Sequence, residues 1–289
     1  MVSIIVVNYN GKDFIVQCLR SIERTASRVP FEIIVVDNNS TDGSVDAIRH
    51  GFPQVIILPQ NSNEGFAKAN NKGAHAARGE YLFFINNDTL FQVNILEPLK
   101  YFLDTHISAG IVAPMLLNPD LTYQHSYGRF PSLINELRTK RDTALLKRIP
   151  HELSPRQVDW VSFAAVMVRK SAFDKVNGFN ERYFMYFEDA DLCFRLQKAG
   201  YASFYCAEYS LIHIGGGSRT RRAANMIKTE YRRSQLLFYH AHRSWLELFA
   251  LRLYLLLRFI YPFLCARGEE HQRARSVIIM ALSSHAYRS

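Results

Sequence analysis

Several patterns are missing from this 289-residue chain, and each absence removes a class of function. No G-x-G-x-x-G joins the first apolar run to the segment after it, because NYNGKDF supplies Gly11 alone; this excludes a dinucleotide site of the Rossmann type. The P-loop signature G-x-x-x-x-G-K-[ST] is absent as well, so any bound phosphate needs a different counter-charge. Cysteine is scarce: Cys18, Cys193, Cys206 and Cys265 lie far apart, match no metal-ligand spacing and are too few for a disulfide framework. They read as buried free thiols of a reducing compartment. The first residues, MVSIIVVNYN, lack the basic region and small-residue cleavage site of a secretory signal, so the working surface is expected to be cytoplasmic. No internal repeat or low-complexity tract is present.

What is present suffices for a large core, since 48% of residues are hydrophobic and 21% charged, the balance of an ordinary globular protein. Acidic and basic residues balance up to residue 218, whereas residues 219–289 hold 13 Lys and Arg against 4 Asp and Glu. All of the excess positive charge therefore sits in the tail. Along residues 1–90, apolar β-branched runs (Val2 to Val7, Phe31 to Val36, Val55 to Leu58, Tyr81 to Ile85) alternate with helical patterns. One of these carries Phe14, Ile15, Cys18, Leu19 and Ile22 at spacings of three and four. This β-α-β-α-β-α-β order predicts an α/β fold with a parallel sheet covered by helices on both faces. Residues 158–173 read as one strand and a short helix starting at Lys170 or Ser171. Residues 186–201 read as an amphipathic helix with an acidic N-terminus, closed by Gly200. The helix dipole is expected to stabilise Asp189 and Asp191 there as anions.

Each of the first four strands runs into polar residues: Asn8 and Asn10, then Asp37-Asn38-Asn39, then Asn61 and Asn63, then Asn86-Asn87-Asp88. Asn and Asp often end strands for local reasons. Their recurrence at four successive strands points instead to a ligand edge, because parallel sheets bind ligands outside the carboxyl ends of their strands. A divalent cation, Mg2+ or Mn2+, is the natural counter-charge for a diphosphate, and Asp88 is a candidate carboxylate for it. His213, in HIGGGS, is a candidate imidazole ligand beside glycines that permit close backbone approach to a phosphate.

The motifs VNYNG, VDNNSTDGS, NEGFAKANNKG, FINNDT, FMYFEDADLCFR and HIGGGS, in this order, resemble those of the family 2 glycosyltransferases of GT-A fold, especially bacterial rhamnosyltransferase-like members. The resemblance covers residues 1–220 and implies a Rossmann-like, mostly parallel sheet that carries inverting transfer of a sugar from a nucleotide diphosphate donor to an acceptor hydroxyl. It implies that Asp37 binds the donor's base with Asn8 alongside and that Asn63 and Gly65 lie near the nucleoside. Asp88 would hold the metal as the last residue of a D-x-D-like motif, and His213 would assist it. Asp189 would be the general base, with Glu188 and Asp191 as alternatives; helix capping or a solvated position suits Asp191 better. Asn10, Asn39 and Asn87 join the substrate-binding set. Two departures stand out: N-N-D replaces D-x-D, leaving one carboxylate and a metal site of lower affinity, and Phe163 replaces a usual glycine next to the acceptor pocket. Trp160 suits either a sugar-stacking platform or the core. Arg219, in the loop GGGSRTRR, is expected to meet the diphosphate when that loop closes.

The tail from residue 221 is expected to be a helical, membrane-associating appendage to a catalytic domain of residues 1–220. Residues 245–264 are long enough to cross a bilayer, but Glu247, Arg252 and Arg258 bring insertion close to break-even: about 2.5–3.5 kcal/mol per central charge against about 0.3–0.6 gained per Leu, Ile or Phe. With Arg232, Arg233 and Arg243 before it and Arg267, Arg273 and Arg275 after it, the segment suits peripheral attachment to an anionic membrane, at the cytoplasmic face of the inner membrane. Packing on its own domain or on a homodimer partner is the alternative. The tail's leucine and aromatic content argues against nucleic acid. The acceptor is then expected to be a lipid-linked saccharide or an oligosaccharide. A nucleotidyltransferase of similar fold and a non-catalytic membrane scaffold are the competing readings; the retained Asp88 and Asp189 speak against the scaffold.

Overall fold

The computed structural model describes residues 1–25, 28–135, 153–215 and 221–283, with backbone alone over 221–224. Strands β1 (Val2–Asn8), β2 (Phe31–Asp37), β3 (Ile56–Pro59) and β4 (Tyr81–Asn86) pair in parallel in the order β3-β2-β1-β4. Their side chains alternate between two cores, as period-two geometry requires. Val2, Ile4 and Val6 of β1 face helices α1 (Lys12–Arg24), α2 (Ser44–Gly51) and α4 (Leu96–Thr105), whereas Ile5 faces α3 (Phe66–Ala76). The small residues Ala67, Ala69, Gly73 and Ala74 let α3 lie close to the sheet. Register then aligns the polar strand ends, because Asn8 is paired with Asp37 and Val7 with Asn86.

Beyond β4 the sheet is mixed. β11 (Ala165–Arg169) runs antiparallel to both β4 and β6 (Ala109–Leu117), while β12 (Ala202–His213) runs parallel to β6 and antiparallel to the short edge strand β5 (Thr89–Leu90). β7 (Tyr123–Gln124) extends from β6, and β9 (Arg156–Val158) pairs with β12. β8 (Tyr127–Gly128) and β10 (Trp160–Val161) form a separate two-stranded ribbon. The strand expected over 158–169 is thus broken at 162–164, where Ser162 N donates to Ser126 O (2.7 Å) and Ala164 O turns toward β4 to accept from Asn86 N (3.0 Å). Helix α5 (Lys170–Lys175) begins at Lys170 as expected.

Helix α6 (Glu188–Lys198) is followed, after β12, by α7 (Arg221–His242), α8 (Trp245–Cys265) and α9 (Glu269–Leu282). These last three do not hang free. Leu236, Leu237 and Phe238 of α7 and Leu251, Leu255 and Phe259 of α8 belong to the same apolar core as Leu192 and Leu196 of α6. Several tail arginines are committed to the protein: Arg243 Nε donates to Pro131 O (2.8 Å) and Arg273 Nη1 to Asn225 Oδ1 (3.1 Å). Arg267 and Arg275 remain exposed. The outer face of α8 shows Leu246, Phe249, Leu253, Leu257, Ile260 and Leu264 to solvent at spacings of three and four. Cys18, Cys193 and Cys206 are buried thiols, but Cys265, at the end of α8, is exposed.

Candidate active site

Asn8 is the hub of the strand-end row. Its Nδ2 donates to Asp37 Oδ1 (2.9 Å) and Ser40 Oγ (3.1 Å), and its Oδ1 accepts from Asn87 Nδ2 (2.8 Å). Ser40 N returns a bond to Asp37 Oδ2 (2.8 Å), and Asn10 Oδ1 holds Thr41 N (2.8 Å). Asn8, Asp37, Asn87 and Asn10 therefore come together. Asn39 is exposed, with a left-handed backbone (φ 67°). Its neighbour Asn38, absent from the expected set, is the buried one: its Nδ2 donates to Gly65 O (3.2 Å) while its Oδ1 has no protein partner. Asn63 Oδ1 accepts from Gly65 N (3.0 Å). Gly65 has φ 85° and lies against Phe184, whose carbonyl accepts from Phe66 N (2.7 Å), so a Cβ there would collide with backbone.

Asp88 and His213 meet although they are 125 positions apart in the chain. His213 Nε2 is 3.2 Å from Asp88 Oδ1, and Gly215 N donates to Asp88 Oδ2 (3.1 Å). Gln124 Oε1 lies 2.7 Å from His213 Nδ1, which selects the tautomer with hydrogen on Nδ1. Nε2 then carries the ring's one lone pair and lies near both Asn86 Nδ2 (3.1 Å) and Asp88 Oδ1, so that lone pair serves either the Asn86 amide or a cation, not both at once. Two facing acceptors call for a cation between or beside them, so this donor set of one carboxylate and one imidazole fits a divalent ion that takes its remaining ligands from a diphosphate and water. Among the described residues no group of three or more His, Cys, Asp and Glu forms a fuller metal cage. Gln124 went unnoticed in the sequence, and Asn86 stood out only as a strand-end residue, because their bonds to His213 span 89 and 127 positions.

The third part is the turn before α6. Tyr186 (φ 67°) and Phe187 (φ 64°) are both left-handed, a conformation costing non-glycine residues on the order of 1–3 kcal/mol each. Asp189 follows in the first helical turn, part-exposed, with its Oδ1 accepting from Ala190 N (2.7 Å). Desolvation raises its pKa from 3.8 to about 6 against that hydrogen bond, contrary to the expected stabilisation of the anion. A helix N-terminus offers only about 0.3–1 kcal/mol, whereas each tenfold change in proton affinity is worth about 1.4 kcal/mol; burial wins. Glu188 is buried, Oε2 has no partner, and burial together with the Asp189 charge holds it well above the usual carboxylate range. Asp191 is neither a cap nor solvated: it is 1% exposed, bonded to Arg195 Nε (2.7 Å) and His242 Nε2 (2.6 Å).

These parts adjoin. The 160–165 segment passes from β10, packed on α6, to Ala164, whose carbonyl accepts from both Asn86 N and Thr89 Oγ1 (3.0 Å each) beside Asp88. The Gly65–Phe184 contact joins the strand-end row to the turn before Asp189. Trp160 is half-buried, its Nε1 donating to Arg129 O (2.9 Å). Phe163, expected to alter the acceptor pocket, is 2% exposed and fills the core against Phe84 and Phe179 (ring centroids 5.8 and 5.1 Å). Arg219 and the loop around it lie outside the described residues.

Similarities to known proteins agree with this layout. The model of glycosyl transferase family 2 matches residues 3–176, and that described as the N-terminal domain of galactosyltransferase matches residues 159–215. The chain is 29% identical over 264 residues to an N-acetylglucosaminyl-diphospho-decaprenol L-rhamnosyltransferase of Mycobacterium tuberculosis, covering 84% of this chain and 85% of that one. It is 29% identical over 225 residues to the rhamnosyltransferase WbbL of Escherichia coli, covering 74% and 83%. The mannosyltransferase PcManGT of Pyrobaculum calidifontis, solved with GDP-Man and Mn2+, superposes with a TM-score of 0.58 at 16% identity over 98% of this chain and 70% of that one, which shows the GT-A fold. With its family model matched over more than half its length and its polar strand ends gathered at one sheet edge, this chain belongs to glycosyl transferase family 2.

Proposed function

We propose that the protein transfers rhamnose, with dTDP-rhamnose as donor, to a hydroxyl of a lipid-linked saccharide with inversion at the anomeric carbon, in cell-envelope polysaccharide synthesis. The observation that carries this reading is the convergence of Asp88 and His213 (3.2 Å) at the sheet edge that also holds Asn8 and Asp37. The two relatives named as rhamnosyltransferases, one with a decaprenol-linked acceptor in its name, support the sugar and the acceptor class.

In this reading Asp37, with Asn8 and Asn87, holds the base of the donor, and Asn38, Asn63 and Gly65 line the nucleoside. Asp88 and His213 would hold Mg2+ or Mn2+, and Gln124 keeps the His213 lone pair on Nε2 for it. The ion would supply charge neutralisation of the departing diphosphate. Asp189 takes the proton from the acceptor hydroxyl as the oxygen attacks the anomeric carbon; the carboxylate raised to about 6 is ionised at neutral pH yet basic enough to accept it. Glu188, buried beside it, is the alternative base, but burial and the Asp189 charge push its carboxyl well above the usual range and so disfavour the ionised form that a base needs.

The enzyme works at the cytoplasmic face of the inner membrane, with the exposed apolar stripe of α8 lying on an anionic bilayer and Arg267 and Arg275 beside it. Among the described residues Trp245–Cys265 is the one helix long and apolar enough to span, but its inner face packs on α7 and α9, which suits lying flat. The alternative occupant of that stripe is a second copy of the chain.

The test measures transfer and donor hydrolysis across a panel of nucleotide sugars, with and without Mn2+, on a polyprenyl-diphosphate saccharide. Turnover confined to dTDP-rhamnose with an inverted product is expected; turnover with another donor replaces the sugar assignment, and retained configuration overturns the mechanism.

A further inference from the structure

We infer that α7, which lies beyond both family-model matches, is a brace for the base: Tyr231, Ser234 and His242 are positioning residues that hold residues 185–191 in the path presenting Asp189 to the acceptor. The inference rests on the reading of Asp189 as general base.

The turn needs holding from outside. Tyr186 and Phe187 adopt left-handed backbone that neither residue type favours, and nothing in FMYFED makes that path locally preferred. One face of α7 is addressed to it, through positions 231, 234, 238 and 242, spaced three, four and four apart. The Tyr231 ring lies against Tyr186 (5.7 Å) and Phe187 (5.1 Å), and Phe238 lies against Phe187 (5.8 Å). Ser234 Oγ donates to Met185 O (2.9 Å), and His242 Nε2 meets Asp191 Oδ1 (2.6 Å) one turn beyond the start of α6. Arg233 Nη1 adds a bond to Arg182 O (3.0 Å).

Ser234 is the informative member. It is 0% exposed beside Leu236, Leu237 and Phe238, where a hydroxyl is unfavourable unless it is satisfied. Its partner is the carbonyl immediately before the two left-handed residues. A helix that served packing alone would have no need of a polar group there.

The experiment compares Ser234→Ala with Tyr231→Leu, combined, against Tyr231→Phe, in the full-length enzyme, with Asp189→Asn alongside. The double variant is expected to lose at least tenfold in kcat, to keep the donor KM within twofold, and to shift the acid limb of its kcat pH profile; Tyr231→Phe, which keeps the ring, should lose less than threefold in kcat. Wild-type kcat and pH profile in the double variant would overturn the brace, and so would parallel losses in kcat, donor affinity and melting temperature, which mark a packing role only. If Asp189→Asn keeps its turnover, the base reading fails first; if Asp189→Asn is inactive while the double variant is unchanged, only the brace fails.

Discussion

The strand-end row from β1 to β4 and the turn before α6 hold their polar groups by opposite means. In the row each group sits where a β-strand ends, and parallel register alone places Asn8 beside Asp37 and Val7 beside Asn86. In the turn, two residues sit in unfavourable backbone and a carboxylate pair is held at raised pKa, chiefly by desolvation and for Glu188 also by the Asp189 charge. The row is what the fold supplies by default; the turn is costly and must be supported. Strained, desolvated groups concentrate at reactive centres, so under the proposed function the row would bind and the turn would carry the chemistry.

The sharpest way to break that comparison is Asp189→Asn. Removing a general base costs about 10²–10⁴ in rate, so kcat should fall about 10³-fold while nucleotide binding, measured by calorimetry, stays within a few-fold. The parent's kcat should fall as pH drops below about 6, where Asp189 protonates. The stability sign runs the other way from the usual carboxylate. With the folded pKa raised from 3.8 to about 6, the favourable contribution is present below pH 3.8 and lost as pH rises through 6. Asp189→Asn should therefore melt higher than the parent at pH 7, and this gain should vanish below pH 4.

Asp191→Ala tests the support rather than the chemistry. Breaking a buried pair leaves Arg195 and His242 facing a void, with a cost of about 3 kcal/mol read from denaturant unfolding. A loss under 1 kcal/mol would mean that Asp191 does not anchor α6.

How far each region could be read in advance follows the same division. The four parallel strands, α1 to α3 and the row Asn8, Asp37, Asn63, Asn87 and Asp88 were legible because period and strand-end chemistry are local signals. The helix from Glu188 to Lys198 was legible in outline, but the environment of its acids was not. Asp191 looks like a surface anion until His242 arrives from 51 positions away, and Asp189 looks dipole-stabilised until the desolvation of its part-exposed carboxyl is known. The antiparallel β11 and the break at 162–164 escaped because an apolar run carries no sign of its direction. Phe163 escaped because one face of that break is core.

Gln124 supports the candidate metal ligand from outside both regions, reaching His213 from β7. Gln124→Ala leaves the imidazole free to choose its tautomer, and losses of an outer partner cost about 10–100-fold in metal affinity. The Mn2+ concentration for half-maximal activity should rise about tenfold with kcat at saturating metal nearly unchanged. No change would separate His213 from metal binding.

The smallest effect is expected at Asn87→Ala, and its smallness is the point. Asn87 Nδ2 donates to Asn8 Oδ1, yet Asn8 keeps its two other bonds, to Asp37 and Ser40. Asn8 Oδ1 is buried, but Asn87 is only half-buried, so truncating it opens a path by which water can reach that oxygen in place of the lost donor. Nucleotide affinity should drop by no more than about fivefold, near the ~1 kcal/mol of one net hydrogen bond. Ser234 is 0% exposed and reaches both Met185 O (2.9 Å) and Glu230 Oε1 (3.4 Å), so the loss of its hydroxyl is harder for water to make good. If Asn87→Ala proved the more damaging of the two, the row would be the rigid part of the site and the turn the forgiving one, and the division drawn between binding and chemistry would have to be reversed.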